Sequence, residues 1–129
     1  MFLTDYLSDL TRTIDKYSKT DLILSSEMMT DFRTEKIGLI KGTIVFLDES
    51  KLFFTEYLDL RYKIEKLTCS FHYQDKGGKL IFRYDNASHK PRLAYKEHKH
   101  VEGDIQESEI PELGEILEEI ISSILIKYE

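Results

Sequence analysis

The sequence of 129 residues predicts an α+β domain of two layers, in which an antiparallel β-meander of about five strands packs against an N-terminal and a C-terminal helix. Three observations predict this fold. Apolar residues recur at helical spacing at both ends of the chain, the period changes to two between them, and no linker interrupts that middle region. Because consecutive strands with short connections pair as hairpins, a meander is the simplest topology. We expect residues 1–129 to form a single domain.

The two predicted helices follow from apolar stripes. Between Phe2 and Ile14 apolar residues repeat every three or four positions, with charged residues on the other side, which predicts an amphipathic helix over residues 2–17. A broader stripe from Leu113 to Leu125, with glutamates facing away, predicts the C-terminal helix.

The predicted strands alternate apolar and polar residues or are rich in β-branched ones. They span residues 21–32, 36–47, 52–60, 62–74 and 79–85. Gly77 and Gly78 predict a hairpin turn before the last strand, since glycine tolerates the positive φ that such turns need. If that loop has two or four residues, His72, Arg83 and Asp85 project from the same sheet face, whereas an odd-length loop separates them.

Charge is distributed unevenly along the chain. Residues 76–100, which we call the basic island, hold seven Lys or Arg against two acidic residues, a local charge of +5. The whole chain carries −6, which leaves −11 for the rest, and all four histidines lie between His72 and His100. This pattern indicates a local site for an anionic ligand, while the acidic total argues against broad coating of nucleic acid.

Several protein classes are excluded at this point. No apolar run approaches the roughly 18 residues of a membrane span, and the N-terminus lacks the basic region of a secretory signal. Cys69 is the only cysteine, so an internal disulfide is impossible. Its place among apolar neighbours predicts a core residue, and a cytoplasmic location fits.

The same-face trio suggests phosphate chemistry. Arg83 can grip two phosphate oxygens, His72 can exchange a proton, and Asp85 can fix the tautomer of an imidazole. The alternative interpretation is a polar outer face with one salt bridge.

The run His-Lys-His at residues 98–100 allows two interpretations. If extended, it places two imidazoles on one side, and His89 or Asp85 adds a third ligand for a transition metal. Because Lys96 and Lys99 would oppose a dication, we expect neither a metal nor a cofactor. The second interpretation makes the same histidines the acid and base of a metal-free phosphodiester cleavage.

Glu56 shares a strand face with Leu52, Phe54 and Leu58. Burial among these apolar side chains would raise the pKa of Glu56 and make it a candidate functional residue. We favour the interpretation that Glu56 lies at a sheet edge, near a strand end.

Five pieces of the chain resemble the TumE family of small prokaryotic proteins in residues, order and spacing. They are Glu56–Asp59, Ser70–Asp75, Leu80–Ala87, His89 and His98–Val101. The resemblance runs from about Gly42 to the last helix, and its most specific parts are Arg-Tyr-Asp-Asn-Ala and His-Lys-His. The chain departs from the family pattern at residues 88–90, where a proline and paired histidines are usual, and at Glu97, where another histidine is common.

The resemblance implies a growth-inhibiting toxin of a type II toxin–antitoxin module, held inactive by an antitoxin with a helix-turn-helix domain. Because an acidic partner would neutralise the basic island and block the substrate together, we predict that the antitoxin covers it. We predict a metal-independent ribonuclease with histidine acid–base chemistry. Its candidate catalytic residues are His72, Arg83, Asp85, His89, His98 and His100, and its candidate RNA-binding residues are Lys90, Arg92, Lys96 and Lys99. Two alternatives stay open: a metal-dependent hydrolase or nucleic-acid-modifying enzyme that uses His89, His98 and His100, and a non-catalytic interaction protein. A homo-oligomer also stays open.

Overall fold

In the part of the chain that the structure describes, seven strands form one antiparallel sheet, and a helix from each end of the chain packs against one of its faces. A computed structural model describes residues 1–86 and 97–127. The strands lie in the sheet in chain order, so every pairing joins sequence neighbours. The elements are α1 (Leu3–Ser18), β1 (Ile23–Phe32), β2 (Ile37–Phe46), β3 (Lys51–Asp59), β4 (Glu65–Gln74), β5 (Leu80–Asp85), β6 (His98–Val101), β7 (Asp104–Glu107) and α2 (Leu113–Lys127).

The α+β class and the two terminal helices are confirmed, but the prediction of about five strands is wrong because β6 and β7 extend the sheet. These two strands join through Glu102 and Gly103, whose φ angles are 48° and 81°. Two successive positive φ values are the geometry of a tight hairpin turn, which sequences usually signal with Asn-Gly or Asp-Gly. A glutamate at the first position concealed the hairpin.

The core lies between the helices and one sheet face, which we call the helix face. Both helices bury most of their predicted stripes, but Phe2 before α1 and Leu125 at the end of α2 are exposed, and Leu7 is half-buried. The central strands bury alternate residues, as a sheet with one covered face requires. The largest fully buried strand residues include Phe46, Phe54, Phe71, Ile40 and Ile44. Neither α1 nor α2, the helices of the described chain, is long and apolar enough to cross a bilayer.

On the opposite side, the outer face, strand pairing arranges side chains in rows that cross the sheet. Residues directly opposite each other in neighbouring strands project to the same side. The arginine row consists of Glu27, Thr43, Phe53, His72, Arg83, His100 and Ile105. The neighbouring aspartate row consists of Met29, Lys41, Thr55, Ser70, Asp85, His98 and Glu107.

A bulge in β5 places Arg83 in its row. Gln74 pairs with Leu80, so the β4–β5 loop has five residues, neither of the two predicted lengths. An odd loop alone would turn Arg83 to the helix face. Ile81 has no ladder partner, however, and this extra residue restores the register so that His72 faces Arg83.

Candidate functional site

Among the described residues, three nitrogen-bearing side chains converge on the carboxylate of Asp85. Arg83 donates from Nε to Oδ2 over 3.0 Å, and His98 Nε2 lies 2.6 Å from Oδ1. His100 Nε2 lies 3.3 Å from Oδ2. Asp85 and His98 are only 3% and 0% exposed, so these contacts replace water around a buried carboxylate. The adjacent strands β5 and β6 supply all four groups, and their register makes the convergence possible.

His72 approaches the same guanidinium from β4. Its Nδ1 lies 3.5 Å from Arg83 Nη1, and its Nε2 lies 3.0 Å from the side-chain oxygen of Gln74. Both contacts fit one neutral tautomer, in which Nε2–H donates to Gln74 and the Nδ1 lone pair faces Arg83. An imidazole in this state can accept a proton from a group bound beside Arg83.

The three described histidines differ in their access to a ligand. His98 is completely buried, and its ring centroid lies 4.9 Å from that of His100, so it can orient neighbours but not touch a substrate. His72 and His100 are half-buried and flank Arg83 on the two adjoining strands. The arginine row therefore presents two partly exposed imidazoles with a cation between them, and the Nε2 atom of His100 that faces Asp85 is itself buried.

Asp85, His98 and His100 also form a candidate metal-ligand group. One ligand atom from each lies within 4.8 Å of the others, and two imidazoles with one carboxylate suit Zn²⁺ or a similar ion. The arrangement thus fits both interpretations of the His-Lys-His run.

The rest of the basic island does not form one positive surface in the described part of the chain. Lys99 lies on the helix face, not beside Arg83, where its Nζ is 3.4 Å from Glu119 and 4.7 Å from the Tyr84 ring centre. Lys76 pairs with Glu49 at 2.6 Å. Predicted site residues outside the described ranges are His89, Lys90, Arg92 and Lys96.

The interpretation of Glu56 as an edge residue is wrong. It lies in the middle of β3, fully buried on the helix face between Ile40 and Cys69 of the neighbouring strands. The Tyr6 hydroxyl donates to Glu56 Oε2, and Lys66 Nζ lies 3.7 Å from it. Burial raises the pKa of Glu56, while Lys66 and Tyr6 pull it down. The position of Glu56 on the same strand face as the apolar residues Leu52, Phe54 and Leu58 was the sequence signal of this burial.

Cys69 is the core residue that the pattern predicts. It is 1% exposed, and burial together with the nearby Glu56 raises the pKa of its thiol to about 12. Such a thiol is not a nucleophile at neutral pH.

Comparison with known proteins gives one family assignment. A family model described as Toxin TumE matches residues 11–126, which include Arg83, Asp85 and the three described histidines. No curated protein and no solved structure matches the chain.

Proposed function

This chain belongs to the TumE toxin family, and we propose that it is the toxin of a type II module that inhibits growth by cleaving RNA in the cytoplasm without a metal. His72 and His100 are the proposed acid–base pair, and Arg83 is the proposed phosphate ligand. Asp85 and the buried His98 position these groups.

The observation that carries the proposal is the central part of the arginine row. His72, Arg83 and His100 stand directly opposite one another on three successive strands. Neighbouring strands lie roughly 4.8 Å apart, so the two imidazole-bearing positions are roughly 10 Å apart with the guanidinium between them. A phosphate gripped by Arg83 would have one imidazole on each side, as in-line displacement at phosphorus requires.

The proton steps follow from the surroundings of each imidazole. His72, with the Nδ1 lone pair facing Arg83, takes the proton of the ribose 2′-hydroxyl. The O2′–P bond forms, the P–O5′ bond breaks, and His100 gives a proton to the departing 5′-oxygen. The carboxylate of Asp85 stabilises the imidazolium form of His100, and the charge of Arg83 stabilises the charge that develops on the phosphate oxygens.

A metal-dependent reaction is the second candidate, and the close approach of Asp85, His98 and His100 favours it. An ion held by these three residues would activate water or polarise the phosphate. His100 cannot then serve as a free acid, so the two candidates make opposite predictions about chelators.

We test the proposal with purified, untagged protein incubated with RNA in EDTA. His72→Ala and His100→Ala should each slow cleavage by roughly 10²- to 10⁴-fold, the usual contribution of one acid or base. Lys99→Ala is the matched control, because Lys99 lies between two site residues in sequence but on the helix face. Its rate should stay near that of the unaltered protein.

Two results would refute the metal-free mechanism. One is cleavage in EDTA at an unchanged rate by His72→Ala or His100→Ala. The other is a stoichiometric metal that EDTA removes together with activity and that His98→Ala no longer binds, which would establish the second candidate.

The proposed partner is a cognate antitoxin with a helix-turn-helix domain. An acidic segment over the outer face would neutralise Arg83, whose side chain is 37% exposed, and would block the substrate at the same time. Their association should weaken as salt rises, and an affinity unaffected by salt would contradict this mode of inhibition.

A further inference from the structure

The outer face continues from the site into a groove over β1, β2 and β3. The groove has a volume of about 350 Å³. The outer-face residues that line it are Glu27, Thr43 and Phe53 of the arginine row and Met29, Lys41 and Thr55 of the aspartate row. Because both rows run on without a break to Arg83 and Asp85, this outer groove and the site belong to one surface.

Phe53 stands where the outer groove meets the site. It is 38% exposed and lies directly opposite His72, with ring centroids 6.0 Å apart and ring planes at 58°. An aromatic ring open to solvent beside a phosphate-binding cation is the combination with which proteins bind single-stranded RNA, since every base offers a face for stacking.

We propose that the outer groove is a subsite for a nucleobase of single-stranded RNA, stacked on Phe53, next to the phosphate that Arg83 binds. The inference rests on the proposed function and names its substrate as unpaired RNA. Phe53 and Arg83 are separated by the one intervening strand β4, which places base and phosphate on either side of His72. A base within a duplex could not enter the groove, because its faces are already stacked.

The lysines around Phe53 complete the subsite. Lys41 lines the outer groove, and Lys51 lies two residues before Phe53 on the same strand and face. Both are exposed, and neither forms an ion pair within residues 1–86 and 97–127, in contrast to Lys76 and Lys99. Their charges are available to the phosphates that flank the bound base.

The far end of the outer groove has a different character. Glu27 carries a negative charge there, and the neighbouring Met29 is 70% exposed. A carboxylate repels phosphate, and a thioether packs well against a flat ring. The groove therefore favours a base at its floor, with the RNA backbone along its lysine-bearing sides.

The test is binding of a short single-stranded 2′-O-methyl RNA, which cannot be cleaved through its 2′ position, measured by fluorescence polarisation on the full chain. Phe53→Ala should weaken binding roughly 10-fold or more, the scale of one lost base–aromatic stack. Phe53→Trp should retain affinity. Phe32→Ala is the matched control, because Phe32 is similarly exposed (36%) but lies on the helix face. It should bind like the unaltered protein.

The outcomes separate the subsite from the function on which it rests. If Arg83→Ala weakens binding while Phe53→Ala does not, the protein binds RNA but the subsite is refuted. If the unaltered protein does not bind the oligonucleotide, both the RNA-cleaving function and the subsite are refuted. In cleavage assays Phe53→Ala should mainly raise KM, whereas His72→Ala should mainly lower kcat.

Discussion

Two buried carboxylates lie on opposite faces of the same sheet, and their surroundings differ sharply. On the outer face, Asp85 is contacted by Arg83, His98 and His100. On the helix face, Glu56 receives a hydrogen bond from Tyr6 and has the ammonium of Lys66 nearby, while its Oε1 has no hydrogen-bond partner among the described residues.

The two clusters also differ in the elements that supply their partners. The described partners of Asp85 come from its own strand and the next one, and two of them, Arg83 and His100, reach the surface. The partners of Glu56 tie α1 to the sheet, and Lys66 continues to Glu112, just before α2, over 3.1 Å. We interpret the Asp85 cluster as positioning reactive groups and the Glu56 cluster as holding the two layers together.

The largest expected effect comes from removing the Asp85 carboxylate. Asp85→Ala should lower the free energy of unfolding by about 3–5 kcal/mol, because the buried His98 and the guanidinium of Arg83 lose their common partner. Asp31→Ala is the control, since Asp31 and its partner Arg33 have side chains that are 65% and 68% exposed, and it should cost about 1 kcal/mol or less. Urea denaturation measures both, and equal losses would contradict the comparison.

On the helix face, Tyr6→Phe should lower the free energy of unfolding by about 1–3 kcal/mol, because Glu56 loses its hydrogen bond inside the core. RNA cleavage per folded molecule should not change. The control is Tyr62→Phe, at a tyrosine that is 91% exposed. A loss of cleavage without a loss of stability would mean that the Glu56 cluster belongs to the active site.

A smaller effect is expected at the hairpin that carries the His-Lys-His run. Gly103 has a φ of 81°, so Gly103→Ala should cost about 1 kcal/mol and disturb β6, reducing cleavage. Gly77→Ala is the matched control in another turn, where the added methyl group would meet only Asp75 Oδ1 at 3.5 Å. Thermal denaturation and cleavage assays compare them, and indistinguishable variants would refute the role of the hairpin.

The smallest expected effect is the pH dependence that Glu56 gives to the free energy of unfolding. Burial raises the pKa of Glu56 above its unfolded value, so the folded state holds the proton more tightly. This contribution is fully present below the unfolded pKa of about 4.3 and is lost as pH rises through the folded pKa. Relative to the unaltered protein, Glu56→Gln should therefore gain stability as pH rises from about 4.3 to the folded pKa of Glu56, and the gain should stay constant above it. A pH-independent difference for Glu56→Gln would contradict the cause given.

The sequence predicted the helices and the early strands correctly. It also predicted that His72, Arg83 and Asp85 share a sheet face, but from a wrong loop length. The loop has an odd length, and only the bulge at Ile81 brings Arg83 back beside His72. The position of a bulge depends on how two strands pack together, and no local residue pattern predicts the bulge at Ile81.

Other parts of the site were beyond sequence reasoning for similar physical reasons. The position of Lys99 on the helix face follows from strand alternation once β6 is known, yet β6 was hidden by the unusual Glu102–Gly103 turn. The partners of Glu56 are Tyr6 and Lys66, which are distant in sequence and meet it only after α1 has docked on the sheet.

The most direct test of the account is the pH profile of kcat/KM for RNA cleavage in EDTA. The unaltered protein should give a bell-shaped profile, since one imidazole must be neutral and the other protonated. His72→Ala should remove the acidic limb, and His100→Ala should remove the alkaline limb. Profiles that keep both limbs in both variants, or cleavage that disappears in EDTA, would contradict the assignment of these two histidines as base and acid.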